Sequence, residues 1–126
     1  MTQHELFSKI NRTARRILNP TWEDISSALT ALRHGAGSVT LETSVGTRLP
    51  SLECRAEGQN YLVTLAEIDT DGETGVRSLT LPQSEPSMID ILGDSWDCRQ
   101  VTRDHELVAA VFREFLETGT VGELLD

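Results

Sequence analysis

Cysteine is nearly missing from this chain: Cys54 and Cys98 stand far apart, with no CxxC pair and no histidine spaced to join them. That excludes a disulfide framework and a thiolate zinc site, and it predicts two reduced thiols, buried as small hydrophobes, in the cytoplasm. Long apolar runs are missing too. None approaches the roughly 18 residues that span a bilayer, so no membrane association is expected. The first eighteen residues carry Arg12, Arg15 and Arg16 with Glu5 among them. Without a continuous apolar stretch they do not read as a secretory signal, and the mature chain is expected to start at Met1.

Positive charge is the next scarcity. Eleven basic residues face twenty acidic ones, for a net charge of −9. A field of that sign repels phosphate backbones and anionic lipid, so nucleic acid is not an expected ligand. The charge is also uneven: Lys9, Arg12, Arg15 and Arg16 against Glu5 make the first twenty residues net +3, leaving −12 on the remainder. A partner steered to that remainder by electrostatics is basic.

Catalytic patterns are missing as well. His4, His34 and His105 are not spaced as metal ligands, and there is no GxSxG, Gly-rich phosphate loop or HExxH. No catalytic residue, metal site or cofactor is assigned, and an enzyme is not expected. Asp69-Thr70-Asp71-Gly72-Glu73 has a passing likeness to a calcium loop but lacks the third acidic position and the closing glutamate. It reads as an exposed hairpin turn that projects three carboxylates. A metal-dependent hydrolase would have to use these carboxylates or those of Asp94 and Asp97, without histidine ligands.

What is present is an ordinary globular composition, 126 residues with 38% hydrophobic and 25% charged side chains, enough for one core and one domain over residues 1–126. Thr21 followed by Asp24 predicts a capping box, and Trp22, Ile25, Ala28, Leu29 and Leu32 recur at helical spacing up to Gly35, so a helix over 22–34 follows. From Ser38 the period changes to two, through Val39 and Leu41, then Leu52, Cys54 and Ala56, then Tyr61, Val63 and Leu65. Gly46, Gly58-Gln59-Asn60 and Asp71-Gly72 fall between as turns of an antiparallel meander. A strand over 76–81, a loop through Pro86, apolar residues 88–92 and a last strand over 95–101 complete it. Leu107, Val108, Val111, Phe112, Phe115 and Leu116 form a second helical stripe, capped by Thr102 or Asp104 and ended by Gly119, with Val121, Leu124 and Leu125 tucking back. The fold class is α+β: a mostly antiparallel sheet with two main helices packed on it. Residues 1–18 fit a helical stripe as well as two short strands turning at Asn11 to Thr13.

Gly93-Asp94-Ser95-Trp96-Asp97 places an aromatic between two acids just after an apolar strand, the composition of an interface centre. A core tryptophan at a turn is the plainer alternative. Candidate partner-binding residues are therefore Asp69, Asp71, Glu73, Asp94, Trp96 and Asp97.

Taken together, Asn19-Pro20-Thr21-Trp22-Glu23-Asp24-Ile25 with Ala28-Leu29 and Leu32, the strand entry from Gly37 to Leu41, Ile91-Leu92-Gly93-Asp94, and the ending Leu107 to Phe115 with Gly119 and Leu124-Leu125 resemble the small immunity proteins of bacterial contact-dependent growth-inhibition and polymorphic-toxin systems. The resemblance implies a cytoplasmic protein that binds and neutralises a cognate toxin domain, a basic protein and commonly a nuclease, and a strand-like N-terminus. It transfers no interface residue. The rivals from other classes are an acidic adaptor or nucleic-acid mimic that binds a basic host protein, and a metal-dependent hydrolase.

Overall fold

A computed structural model describes residues 3–43, 49–82 and 87–126, and in it the ambiguous N-terminal stripe is a hairpin: β1 (His4–Ile10) and β2 (Thr13–Leu18) pair antiparallel, with Leu6 opposite Ile17. The two-residue turn between them puts Asn11 and Arg12 at φ 50° and 72°, the twist that two-residue hairpins require. Asn11 also ties the turn down over a long sequence distance. Its N–H donates to Ala36 O at 2.9 Å, and its Oδ1 accepts from Ala36 N at 3.1 Å.

Helix α1 (Trp22–Arg33) starts in the expected capping box: Asp24 N donates to Thr21 Oγ1 at 3.2 Å, and Thr21 N donates to Asp24 Oδ2 at 2.8 Å. It buries Ile25, Leu29 and Leu32 and closes at His34. β3 (Gly37–Thr43), β4 (Ser51–Glu57), β5 (Asn60–Ile68) and β6 (Thr74–Ser78) form the meander, and the sheet runs β2-β1-β3-β4-β5-β6, antiparallel throughout. The expected turn at Gly46 and the loop at Pro86 lie outside the described residues. α2 (His105–Thr118) is capped by Asp104, whose Oδ1 accepts from Leu107 N at 3.2 Å, and ends on Gly119 at φ 80°.

Alternation decides what the sheet does with its two faces. Val39, Leu41, Leu52, Cys54, Ala56, Tyr61, Val63 and Leu65 point to one side, where the apolar stripes of α1 and α2 close the core over them. Of the tail residues, Val121 and Leu125 are buried but Leu124 stays exposed. Glu123 and Leu124 form a turn that leaves the Leu124 side chain outside, while Asp126 N donates to Ser78 O at 2.9 Å and ties the end of the chain to β6.

The expected last strand over 95–101 is instead three pieces. β7 (Met88–Ile91) pairs with β8 (Asp94–Asp97), a single 3-10 turn covers Cys98–Gln100, and β9 (Val101–Thr102) pairs with the start of β5. Asp97 causes the break by accepting from Arg99 N at 2.9 Å, which folds the backbone into a turn. The β7–β8 hairpin lies on the second face of the sheet, where Ile91, Val101, Ile89 and Trp96 gather around Leu62. Both cysteines are buried, as expected, and burial raises the Cys54 thiol above its ordinary value. Among the described residues no helix is long and apolar enough to cross a membrane.

His4 sits under α2 with its ring 5.5 Å from that of Phe115, edge-on, and its Nε2 is buried without a hydrogen-bond partner. Burial lowers its pKa below the ordinary 6.5, because the charged imidazole loses its water. The unfolded chain therefore binds the proton more readily, and the stability tied to neutral His4 is complete above about pH 6.5 and is lost as the pH falls below it. Denaturant midpoints at about pH 7.5 and about pH 5 are expected to differ less in His4→Phe than in the original chain. Equal differences would exclude His4 as a contributor.

Candidate functional site

The second face of the sheet is only partly covered. Glu53 and Arg55 point outward from β4, Thr64 from β5, and Val76 and Ser78 from β6, because their sequence neighbours are the ones turned to the core. Together with Trp96 of β8 and Gln100 they line a cleft of about 410 Å³ between the sheet and the β7–β8 hairpin. Its walls are held by a polar lattice. Arg55 Nε donates to Glu53 Oε1 at 2.8 Å, Thr40 Oγ1 to Glu53 Oε2 at 3.4 Å, and Gln100 Nε2 to Ser78 Oγ at 3.2 Å.

Trp96 is half-buried against the Leu62 cluster, so the plainer reading of a packed tryptophan holds for its ring. Its indole N–H is different: the nitrogen is buried and donates to nothing. A buried donor without an acceptor costs about 1–3 kcal/mol. The face continues along β5 and β6 to Val76, 67% exposed, and Ile68, 48% exposed. Ile68 and Val76 lie on the same face of the β5–β6 pair, and apolar side chains exposed side by side suit a contact surface.

Beyond them comes the acidic turn, whose Glu73 is roughly 17 Å from Ser78 along the strand at about 3.3 Å per residue. Asp69 is its builder, since Oδ1 accepts from Asp71 N at 2.9 Å and from Glu73 N at 3.0 Å. Asp71 and Glu73 are exposed and project past the sheet. On the hairpin, Asp94 has a 64% exposed side chain, 3.7 Å from Arg55. Asp97 is used internally: Arg99 meets it through Nε and Nη2 at 3.0 and 2.6 Å, and those hydrogen bonds hold its carboxyl at about 2. The six residues singled out from sequence thus form two groups, Asp94, Trp96 and Asp97 on the β7–β8 hairpin, of which Trp96 lines the cleft, and Asp69, Asp71 and Glu73 at the turn.

A family model matches residues 2–125, nearly the entire chain. The chain belongs to DUF6911. Its description is a family of unknown function. The DUF6911 fold has a solved counterpart in the crystal structure of a hypothetical protein from Neisseria gonorrhoeae, at a TM-score of 0.80 and 16% identity, covering 98% of this chain and 92% of that one. Identity that low carries the fold and nothing more. No curated protein matches the chain.

Within this DUF6911 chain the residues that sequence reasoning missed are Glu53, Arg55, Thr64, Val76, Ser78 and Gln100. Alternation already puts Glu53 and Arg55 on one face, but only the position of the hairpin says that this face forms a cleft. Trp22, the other tryptophan, lies on the helix side beneath Arg113, whose guanidinium is 5.3 Å from the ring centre. The histidines stay apart: His34 is exposed at the end of α1, while His105 Nε2 lies 3.2 Å from Leu29 O. Among the described residues no three His, Cys, Asp or Glu side chains are grouped to hold a metal ion. The arrangement brings together a buried donor without an acceptor, exposed apolar area and exposed carboxylates.

Proposed function

We propose that this protein is a cytoplasmic immunity protein that binds the toxin domain encoded beside it, a basic protein and a nuclease, and blocks it without catalysis of its own. The observation that supports the reading best is the unsatisfied indole N–H of Trp96 at a cleft that opens onto exposed Val76 and Ile68 and then onto Asp71 and Glu73. An anchor with a hydrogen bond to give, an apolar shelf and a rim of one charge are the parts of a protein interface. A nuclease has to present cations to its substrate, and a carboxylate rim steers such a surface into contact. Asp69, Asp94 and Asp97 belong to the same face, with Asp69 shaping the turn and Asp97 shaping the hairpin end.

The test is to co-express the tagged protein with the product of the adjacent gene and purify it under native conditions. A stoichiometric complex, toxic once separated and inert when joined, supports the reading; a protein that elutes alone beside a harmless neighbour removes it. In that complex, Asp71→Lys with Glu73→Lys is expected to slow association by about tenfold or more at low salt and to flatten its salt dependence. Stopped-flow rates that do not change would detach the acidic turn from the interface.

A further inference from the structure

The chain carries nearly twice as many carboxylates as cations, and among the described residues five arginines are ion-paired: Arg16 with Glu5, Arg55 with Glu53, Arg77 with Glu67, Arg99 with Asp97 and Arg113 with Glu117. Among the described residues no ion pair holds Lys9, Arg12, Arg15, Arg33 or Arg103. These are not scattered. The β1–β2 turn, the end of α1, the start of β3, the β4–β5 turn and the entry to α2 all lie at one end of the sheet, since Ile10 pairs with Gly37, Gly37 with Ala56 and Tyr61 with Thr102. The unpaired cations gather toward that end, opposite to the Asp69–Glu73 turn.

At its centre is an open recess of about 380 Å³ lined by Arg33, His34, Gly35, Gly58, Gln59 and Arg103, with no carboxylate in the lining. Arg103 is already positioned there: its Nη1 donates to Gly58 O at 3.2 Å and to Asn60 Oδ1 at 3.1 Å, which leaves Nε and Nη2 unengaged. Both guanidiniums line this one recess, and both oppose the rise that burial and Cys54 give the Tyr61 phenol. Like charges brought together without a counter-charge repel. The terminal carbonyls of α1 favour Arg33 by their partial negative charge, but they give no reason for Arg103 to join it.

We propose that this recess binds a small anion through a terminal phosphate group, with Arg33 and Arg103 as its two guanidinium ligands. Planar guanidiniums pair with phosphate oxygens in forked geometry, and two of them outweigh the roughly half-charge at the end of α1. A small ligand is favoured over a nucleic acid. A phosphodiester chain would extend past the recess into the field of the other carboxylates, whereas a single phosphate stays within a lining that holds none.

The test is a titration of the full-length, isotope-labelled protein with sodium phosphate at constant ionic strength, followed by amide NMR shifts. Saturable shifts confined to residues 33–35, 58–60 and 103 are expected. Arg33→Gln and Arg103→Gln should each weaken binding by about tenfold or more, while Arg113→Gln, which removes an ion-paired arginine elsewhere, should leave it unchanged. Arg33→Gln keeps the contacts of Arg103 to the β4–β5 turn, so it reads the site even if Arg103→Gln disturbs that turn. Shifts that rise without saturating, an equal response to acetate, an unweakened Arg33→Gln, or tighter binding of a single-stranded oligonucleotide than of phosphate would each overturn the assignment.

Discussion

Gly37→Ala is expected to cost about 4 kcal/mol or more, a value reached only by severe steric or core defects and a large share of the roughly 5–15 kcal/mol that holds a domain of this kind. Gly37 opens β3 at φ +154°, and a Cβ there would lie 1.9 Å from the carbonyl oxygen of Lys9 and 2.9 Å from Ile10 Cα. Those atoms are backbone, so no side chain can swing away. Relief requires β1 to move off β3, and β1 is interior to the sheet with β2 hanging from its other edge. The comparison that isolates the clash is Gly58→Ala. Gly58 has φ +59° and nothing within 4 Å of the added methyl, so only the left-handed backbone penalty of about 1–2 kcal/mol applies. Urea midpoints of the two variants should separate clearly. Equal midpoints would mean that β1 and β3 do not approach as closely as described.

Local signals carry the fold as far as each element's own residues determine it. The capping box at Thr21 and Asp24, the stripes of α1 and α2, and the alternation from Val39 to Leu65 are all decided within a turn or a strand, and all stand in the structure. The N-terminal stripe was not decidable that way. Leu6, Ile10, Ile17 and Leu18 suit either period, and the hairpin is fixed by Asn11 holding Ala36 and by β1 lying on β3, contacts made across more than twenty residues. The strand expected over 95–101 broke for a local reason of another kind, because Asp97 prefers its own backbone two residues on. The candidate site follows the same rule. Charge and the acid-flanked Trp96 were legible, but Asp69 and Asp97 look identical in sequence to carboxylates that are unengaged. Whether a carboxylate builds its own turn or projects to a partner is settled by geometry that composition does not encode.

Trp96→Phe separates the energetics of folding from those of recognition more sharply than any other single change on this face. In the free protein the substitution keeps an aromatic ring opposite Ile89 and on the Leu62 cluster and deletes a buried donor that has no acceptor. The smaller ring loses some apolar burial, while loss of the unsatisfied donor returns about 1–3 kcal/mol, so stability is expected to be unchanged or slightly raised. In the proposed complex the same donor is the one that a partner's acceptor would complete. Its removal should weaken binding by about thirtyfold or more, the threshold of an interface hot spot at roughly 2 kcal/mol. Tyr61→Phe is the matched control: that hydroxyl is also buried without a partner, but at 1% exposure and on the helix side of the sheet. It should match Trp96→Phe in stability and leave binding untouched. Thermal unfolding and calorimetric titration against the purified partner domain measure the two quantities independently. Trp96→Phe binding as tightly as the original chain would take the cleft out of the interface, and a marked loss of stability would mean that the indole N–H is satisfied within the fold and is not waiting for a partner.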